Sequence, residues 1–365
     1  MRRPYARRRR RAIAAANAGK TGALLVSRPD DVSYLSGFSG EDSLLLAGPR
    51  WSVLLTDGRF AEQADAECSD VEIHVRTGPM AHAVADALSG RGVRRLAVQS
   101  GHMTLAMRDR LAEQLVKVRI VPAGEALAEL RMVKDADEIA AIRRAVRIAE
   151  KAFRQLTAGG CAYLVGRTER DVAAELDYLM RRHGADGPSF DTIVATGPHS
   201  SLPHYRPGST RIRANQPLLI DWGARSRGYC SDLTRTLLLG RIPPEISTIH
   251  DVVRRAQSAG IEAIRSGRFC RTADEAARRV IEEAGYGDRF VHGLGHGLGR
   301  AVHEGPGVGR RSETRFRRGM VATVEPGVYL PGVGGVRIED DVLVAADGAE
   351  RLSRLPRSMN AMSLQ

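Results

Sequence analysis

In the first third of the chain, short aliphatic and β-branched runs alternate with stretches whose apolar side chains recur every three or four positions. The pattern predicts strands over 23–26, 44–46, 53–56, 71–75, 96–98 and 118–121, with amphipathic helices over 59–67, 81–88 and 105–115. Residues 21–130 are therefore expected to form a compact α/β domain. The texture then changes. Ile139, Ile142, Val146, Ala149, Phe153 and Leu156 follow one another at spacings of three and four, predicting a long helix over 134–156 with Asp135 or Asp137 near its start. A second helix opens at Thr168, a good N-cap with Asp171 in the first turn, and closes at Gly184. Two more are predicted over 245–264 and 272–284. Between the helices lie strands over 192–195, 217–221, 229–239, 320–325 and 335–343, joined by Gly-rich turns that suit antiparallel pairing. Residues 131–365 thus read as an α+β domain, with no internal repeat.

Composition narrows the class. The 365 residues are 43% hydrophobic and 27% charged, with a mean hydropathy of -0.25, enough apolar material for one large or two ordinary cores. Disorder of the whole chain is excluded, and no apolar run approaches the roughly 18 to 20 residues that cross a bilayer. The formal charge is +12, but residues 1–20 hold Arg2, Arg3, Arg7 to Arg11 and Lys20 with no acid, leaving +4 for the rest. This arm is expected to be a disordered extension, with a nucleic-acid or membrane-surface tail or a presequence as alternatives. Nucleic acid and membrane are not expected partners of the folded part. Cys68, Cys161, Cys230 and Cys270 are widely spaced, which points to a reducing, cytoplasmic setting.

Acidic residues inside apolar strands carry the chemistry, because a buried carboxylate needs a partner. Asp221 ends the run Leu218, Leu219, Ile220, and Asp232 lies in the next strand. A hairpin symmetric about Ser226 and Arg227 would set the two opposite each other. Glu325 closes the run 321–324, and Glu339 lies in the following strand; a turn over Pro331 to Gly334 would make these opposite too. Two such pairs, each separated by roughly 5 Å, would repel strongly unless a charge of about +4 sat among them. Two divalent metals fit that charge. His296, in the Gly-rich string HGLGHGLG at 292–299, offers a fifth ligand. Four oxygen-donating residues and one imidazole favour Mn(II) or Co(II) and admit Zn(II) or Fe(II). Such a pair acidifies a bridging water and polarises a carbonyl, the equipment of a hydrolase. His204, His292 and His303 are available to assist, and each also reads as an ordinary hydrogen-bonded histidine. Asp340 reads as an ion-pair partner, and Cys230 as packing.

Taken together, the strings PHY at 203–205, DWGA at 221–224, SDLTRT at 231–236, HGLGHGLG at 292–299, HE at 303–304, VEPG at 324–327 and RIEDD at 337–341 resemble the Xaa-Pro peptidase branch of the pita-bread metallopeptidases of family M24. YLSGFSG at 34–40 resembles the creatinase-type N-terminal domain of the same group. The resemblance implies a C-terminal pita-bread catalytic domain over 131–365, preceded by the smaller creatinase-like domain. It also implies a dinuclear site on Asp221, Asp232, His296, Glu325 and Glu339. Glu325 would relay a proton from a metal-bridging hydroxide, while His204, His292 and His303 bind substrate and stabilise the tetrahedral intermediate. Arg337 would contact substrate or support a ligand, and the chain would be a homodimer. The methionine aminopeptidase branch shares the five ligands but usually lacks this N-terminal domain and the RIED string. One departure is Arg318, where relatives commonly place proline before Gly-Met; it bears on substrate preference.

The expected function is therefore a metalloexopeptidase that cleaves the N-terminal Xaa-Pro bond of dipeptides or short peptides. A broader aminopeptidase accepting Met or Ala first, and a noncatalytic adaptor using the basic arm, are the alternatives.

Overall fold

The computed structural model describes residues 4–16 and 22–364, and the chain divides into two compact units, Met1–Leu130 and Arg131–Gln365. The first is built on a six-stranded mixed sheet. Its order is Glu72–Arg76, Ser52–Asp57, Leu44–Ala47, Gly22–Val26, Arg95–Val98 and Arg119–Pro122. Gly22–Val26 is buried at every position because alternate side chains feed two cores. Leu24 and Val26 enter one with Val32 and Leu35, and Ala23 and Leu25 enter the other with Val84 and Leu111.

The basic arm departs from expectation. Tyr5–Ala15 is a helix whose Ala12 is fully buried in the first of those cores, while Arg2, Arg3 and Lys20 lie outside the described residues. Arg8 and Arg9 donate to the carbonyls of Tyr34 and Leu35, in the last turn of the helix Pro29–Ser36. Arg9 also forms a forked pair with Asp70, at 2.9 and 3.3 Å. Cations at a helix C-terminus meet its dipole and its unsatisfied carbonyls, so two of the arginines are structural. A count of charge along the chain could not reveal this.

The second unit sets two helix pairs on antiparallel sheets. Ala136–Thr157 and Glu169–Arg182 start at capping boxes, Asp135 with Glu138 and Thr168 with Asp171. They pack on a sheet of Ile193–Thr196, Gln216–Trp222, Leu233–Leu239 and Ser363–Leu364. Pro244–Ala263 and Arg271–Glu283 share a core with the sheet of Glu304–Val308, Gly295–Gly297, Val321–Val324, Asp340–Val344 and Ala349–Arg351, and with the hairpin Gly327–Leu330 and Gly334–Arg337. A bridge between Thr234 and Glu339 joins the two sheets. The expected single strands over 229–239 and 335–343 are each broken, at 231–232 and at 338–339. Those breaks fall beside Asp232 and Glu339. No helix among the described residues is long and apolar enough to cross a membrane.

Candidate metal centre

Trp222 anchors the first strand of the site. Its buried indole stacks on Phe153 at a centroid distance of 4.3 Å and donates to the Ala149 carbonyl at 3.0 Å. Strand alternation sends Asp221 to the other face, where it lines a cavity of about 410 Å³. The return strand is positioned by a two-residue turn at Arg227 and Gly228, with φ of 53° and 72°, the left-handed pair a tight hairpin needs. This corrects the predicted register. Ser226 faces Tyr229, Thr234 faces Asp221, and Asp232 stands diagonal to Asp221 instead of opposite it. At the break, a Cβ on Gly223 would lie 1.9 Å from the Ser231 carbonyl oxygen, so glycine is required there.

The second hairpin keeps the register its turn predicts. Gly327 faces Arg337 and Val324 faces Asp340, so Glu325 and Glu339 lie opposite each other between those pairs. Glu339 donates its amide to the Thr234 carbonyl at 3.1 Å and accepts from Thr234 Oγ1 at 2.6 Å, which brings the two hairpins together. His296 enters from Gly295–Gly297. Its Nδ1 lies 3.1 Å from the Gly297 carbonyl, which fixes the proton there and turns the Nε2 lone pair toward Asp232 Oδ2 at 3.6 Å and Glu325 Oε1 at 3.4 Å.

Electrostatics make this an assembly of acceptors in want of a cation. Burial, then Glu339 and Asp221, push the Asp232 carboxyl well up; burial, then Glu325 and Asp221, do the same to Glu339. Glu325 is pushed up to about 7 by burial, with Asp221 adding to it against the pull of Arg337. Burial, then His303, holds His296 down to about 4, so its ring is neutral near pH 7. Asp221 Oδ1 is buried without a hydrogen-bond partner among the described residues. Ligand atoms of Asp232, His296 and Glu339 lie within 4.8 Å of one another. Oxygen donors with one correctly turned imidazole fit divalent metal binding.

All nine residues singled out from the sequence line this one cavity: Asp221, Asp232, His296, Glu325 and Glu339, with His204, His292, His303 and Arg337. The His303 ring is 4.3 Å from that of His296. Arg337 is buried; it pairs with Asp221 at 2.7 Å and donates to Tyr329 Oη at 2.9 Å and to the Pro203 carbonyl at 3.4 Å. Tyr329 Oη lies 2.9 Å from His292 Nε2, and His292 Nδ1 lies 2.8 Å from the Gly293 carbonyl. Burial, then Arg337, lowers His292 to about 4, leaving a neutral ring held at both nitrogens.

Sequence reasoning missed Thr234, Thr323, Tyr329 and Asp341. Thr323 donates to Glu325 at 3.1 Å and accepts from the His296 amide; Asp341 accepts from the Asp232 amide at 3.0 Å. Period-two alternation puts Thr234 with Asp232 and Asp341 with Glu339, a usable signal, whereas nothing local marked Tyr329. Cys230 packs against Ile142 and Leu298, as expected.

Residues 140–346 match metallopeptidase family M24, and residues 8–133 match the creatinase/prolidase N-terminal domain. The chain belongs to family M24. An Xaa-Pro dipeptidase of Pyrococcus furiosus is 33% identical, over 92% of this chain and 94% of that protein. The solved structure of an Xaa-Pro dipeptidase from Bacillus anthracis is 33% identical with a TM-score of 0.93, covering 97% of this chain and 99% of that one. An X-Pro aminopeptidase structure from Thermotoga maritima is 34% identical with a TM-score of 0.89, covering 94% and 99%. As an M24 member, the chain has a pita-bread catalytic domain behind a creatinase-type N-terminal domain, and it is a hydrolase of the metallopeptidase class.

Proposed function

We propose that this M24 peptidase is an exopeptidase that cleaves the N-terminal Xaa-Pro bond of dipeptides or short peptides. The observation that carries the reading is the single cavity holding four clustered carboxylates, a metal-ready imidazole, three more histidines and Arg337. The relatives named Xaa-Pro dipeptidase and X-Pro aminopeptidase support the substrate class. Proline's fixed φ and missing N–H make such bonds poor substrates for general peptidases, which gives a dedicated pocket a purpose.

Asp221, Asp232, His296, Glu325 and Glu339 would hold two divalent ions, Mn(II) or Co(II) by their donor set, with Zn(II) or Fe(II) as alternatives. When bound, such a pair would supply an acidified water as the nucleophile and a Lewis acid for the scissile carbonyl. Glu325 takes the proton of the attacking water on a carboxylate oxygen and passes it to the departing proline nitrogen. His204, His292 and His303 line the wall where the carbonyl oxygen gains charge; His204 and His303 would stabilise it by hydrogen bonding, and His292, whose nitrogens are engaged by Tyr329 and Gly293, would bind substrate through its ring. Arg337 holds Asp221 in place and contacts substrate from the same wall. The chain works as a homodimer in the cytoplasm.

The test uses metal-stripped protein given back Mn(II), Co(II) or Zn(II) in turn, with Ala-Pro, Met-Pro, Ala-Pro-Pro-Ala and Met-Ala-Ser as substrates. Metal-dependent cleavage of the proline peptides is expected, and the dipeptide-to-tetrapeptide ratio separates dipeptidase from aminopeptidase. Preferred cleavage of Met-Ala-Ser would replace the proline-directed reading with the broader one. Folded protein that cleaves none of them would overturn both.

A further inference from the structure

One buried carboxylate outside the metal cluster is tied to the segment that carries His204. Glu169 is the first residue of the helix Glu169–Arg182 and is fully buried. A carboxylate there has the helix dipole in its favour, yet it must still find donors for both oxygens. It finds them in one stretch of chain. Oε1 accepts from the Thr196 amide at 2.9 Å and lies 2.9 Å from His199 Nδ1; Oε2 accepts from Tyr205 Oη at 2.7 Å and from the Gly208 amide at 3.2 Å. The helix backbone adds two ties, from the Glu169 amide to the Thr210 carbonyl at 3.0 Å and from the Arg170 amide to the Gly208 carbonyl at 3.1 Å. His199 and Tyr205 stack at 4.5 Å between these ties.

His204 needs such support. It is exposed, in a stretch of irregular backbone after the short helical turn Gly197–Ser201, and it reaches the cavity beside Pro203. We infer that Glu169 is a positioning residue that sets His204 at the substrate cavity by closing residues 196–210 onto one carboxylate; this rests on the substrate-binding role proposed for His204. A group held in place by ties to both sides of it stays within reach of the reacting carbonyl, and displacement by about 1 Å costs on the order of 10²-fold in rate.

Glu169→Gln keeps the size of the side chain but turns an NH₂ toward a donor; the Tyr205 hydroxyl can rotate to accept, and the Gly208 amide cannot. In the full chain with Mn(II) and Ala-Pro, the substitution should lower kcat/KM by about 10- to 100-fold. In a His204→Ala background the same change should be under about 2-fold, because the effect passes through His204. An equal loss in both backgrounds would overturn the inference. Amide exchange over residues 196–210 should quicken while that of Pro244–Ala263 stays constant, and unchanged exchange at 196–210 would also overturn it. That second readout needs no turnover, so it tests the hold of Glu169 on residues 196–210 separately from the proposed function, even if the parent cleaves no Xaa-Pro peptide. Tyr205→Phe, which removes one donor only, carries the same cycle and the same exchange readout if Glu169→Gln does not fold.

Discussion

Glu339 and Asp340 are neighbours in the chain and both are buried, yet they meet opposite surroundings. Asp340 has its own cation: Arg235, itself fully buried, lies 2.7 Å from Oδ1, Gln257 donates to Oδ2 at 2.9 Å, and Ser353 donates as well. Glu339 accepts from Thr234 and otherwise faces Glu325, Asp232 and Asp221; of these four carboxylates only Asp221 is paired with a cation, Arg337, whose charge also reaches Glu325 and Glu339. Burial alone therefore does not separate a charge-compensated acid from an uncompensated one. What separates them is whether the chain supplies the compensating charge or leaves it to be brought from solution.

The largest expected effect lies on the uncompensated side. Asp232→Ala and Glu325→Ala should each lower turnover by about 10³-fold or more while leaving the metal-free melting temperature unchanged or higher, since each removes a buried repulsion. Full activity in either variant would break the comparison at its root. On the compensated side, Asp340→Ala should cost about 3 to 5 kcal/mol of stability by stranding Arg235, as read from denaturant unfolding, and added metal should not restore the lost contacts. A loss no greater than that of Asp232→Ala would erase the distinction.

A pH scan of metal-free protein sharpens the same point. Glu325 is raised from its ordinary value to about 7, so its folded form binds a proton that the unfolded chain has already released. Its contribution is full below the unfolded value and is lost as pH rises through 7. His292 and His296, held down to about 4, act in the reverse sense only below pH about 6.5. Between pH 6.5 and 8 the melting temperature of metal-free protein should fall by a few degrees, and saturating Mn(II) should flatten or reverse that slope. A slope that ignores metal would detach the titration from the site. The smallest effect belongs to a pair still partly in water. Arg9→Ala, which removes the fork to Asp70 and a tie to Leu35, should cost about 1 to 3 kcal/mol without changing kcat, as measured by unfolding and turnover in parallel.

Much of the fold was legible because local rules and tertiary demands agreed. The helix Ala136–Thr157 announced itself by spacing and by its Asp135 cap, and six short apolar runs became the six strands of the first unit. The basic arm was misread for the opposite reason. Arg8 and Arg9 look like solvent-seeking charge until the carbonyls at the end of Pro29–Ser36 are placed beside them. The first hairpin was misregistered because its sequence admits more than one two-residue turn; the turn falls at Arg227 and Gly228, where both φ are positive.

That the four acids would gather was legible in the sequence, since acids that close apolar strands cannot be buried without a counter-charge, and the Gly-rich string marked His296 as the fifth donor, although the register of the first hairpin was not legible. Tertiary structure alone decided which of the buried acids would be neutralised from within. Arg235, Gln257 and Ser353 reach Asp340, and Arg337 reaches Asp221, from 13 to 116 positions away. It likewise decided that Glu169 would hold the segment bearing His204. Hydrogen bonds and ion pairs act over a few ångströms in space, so partners distant along the chain become visible only after the fold has closed.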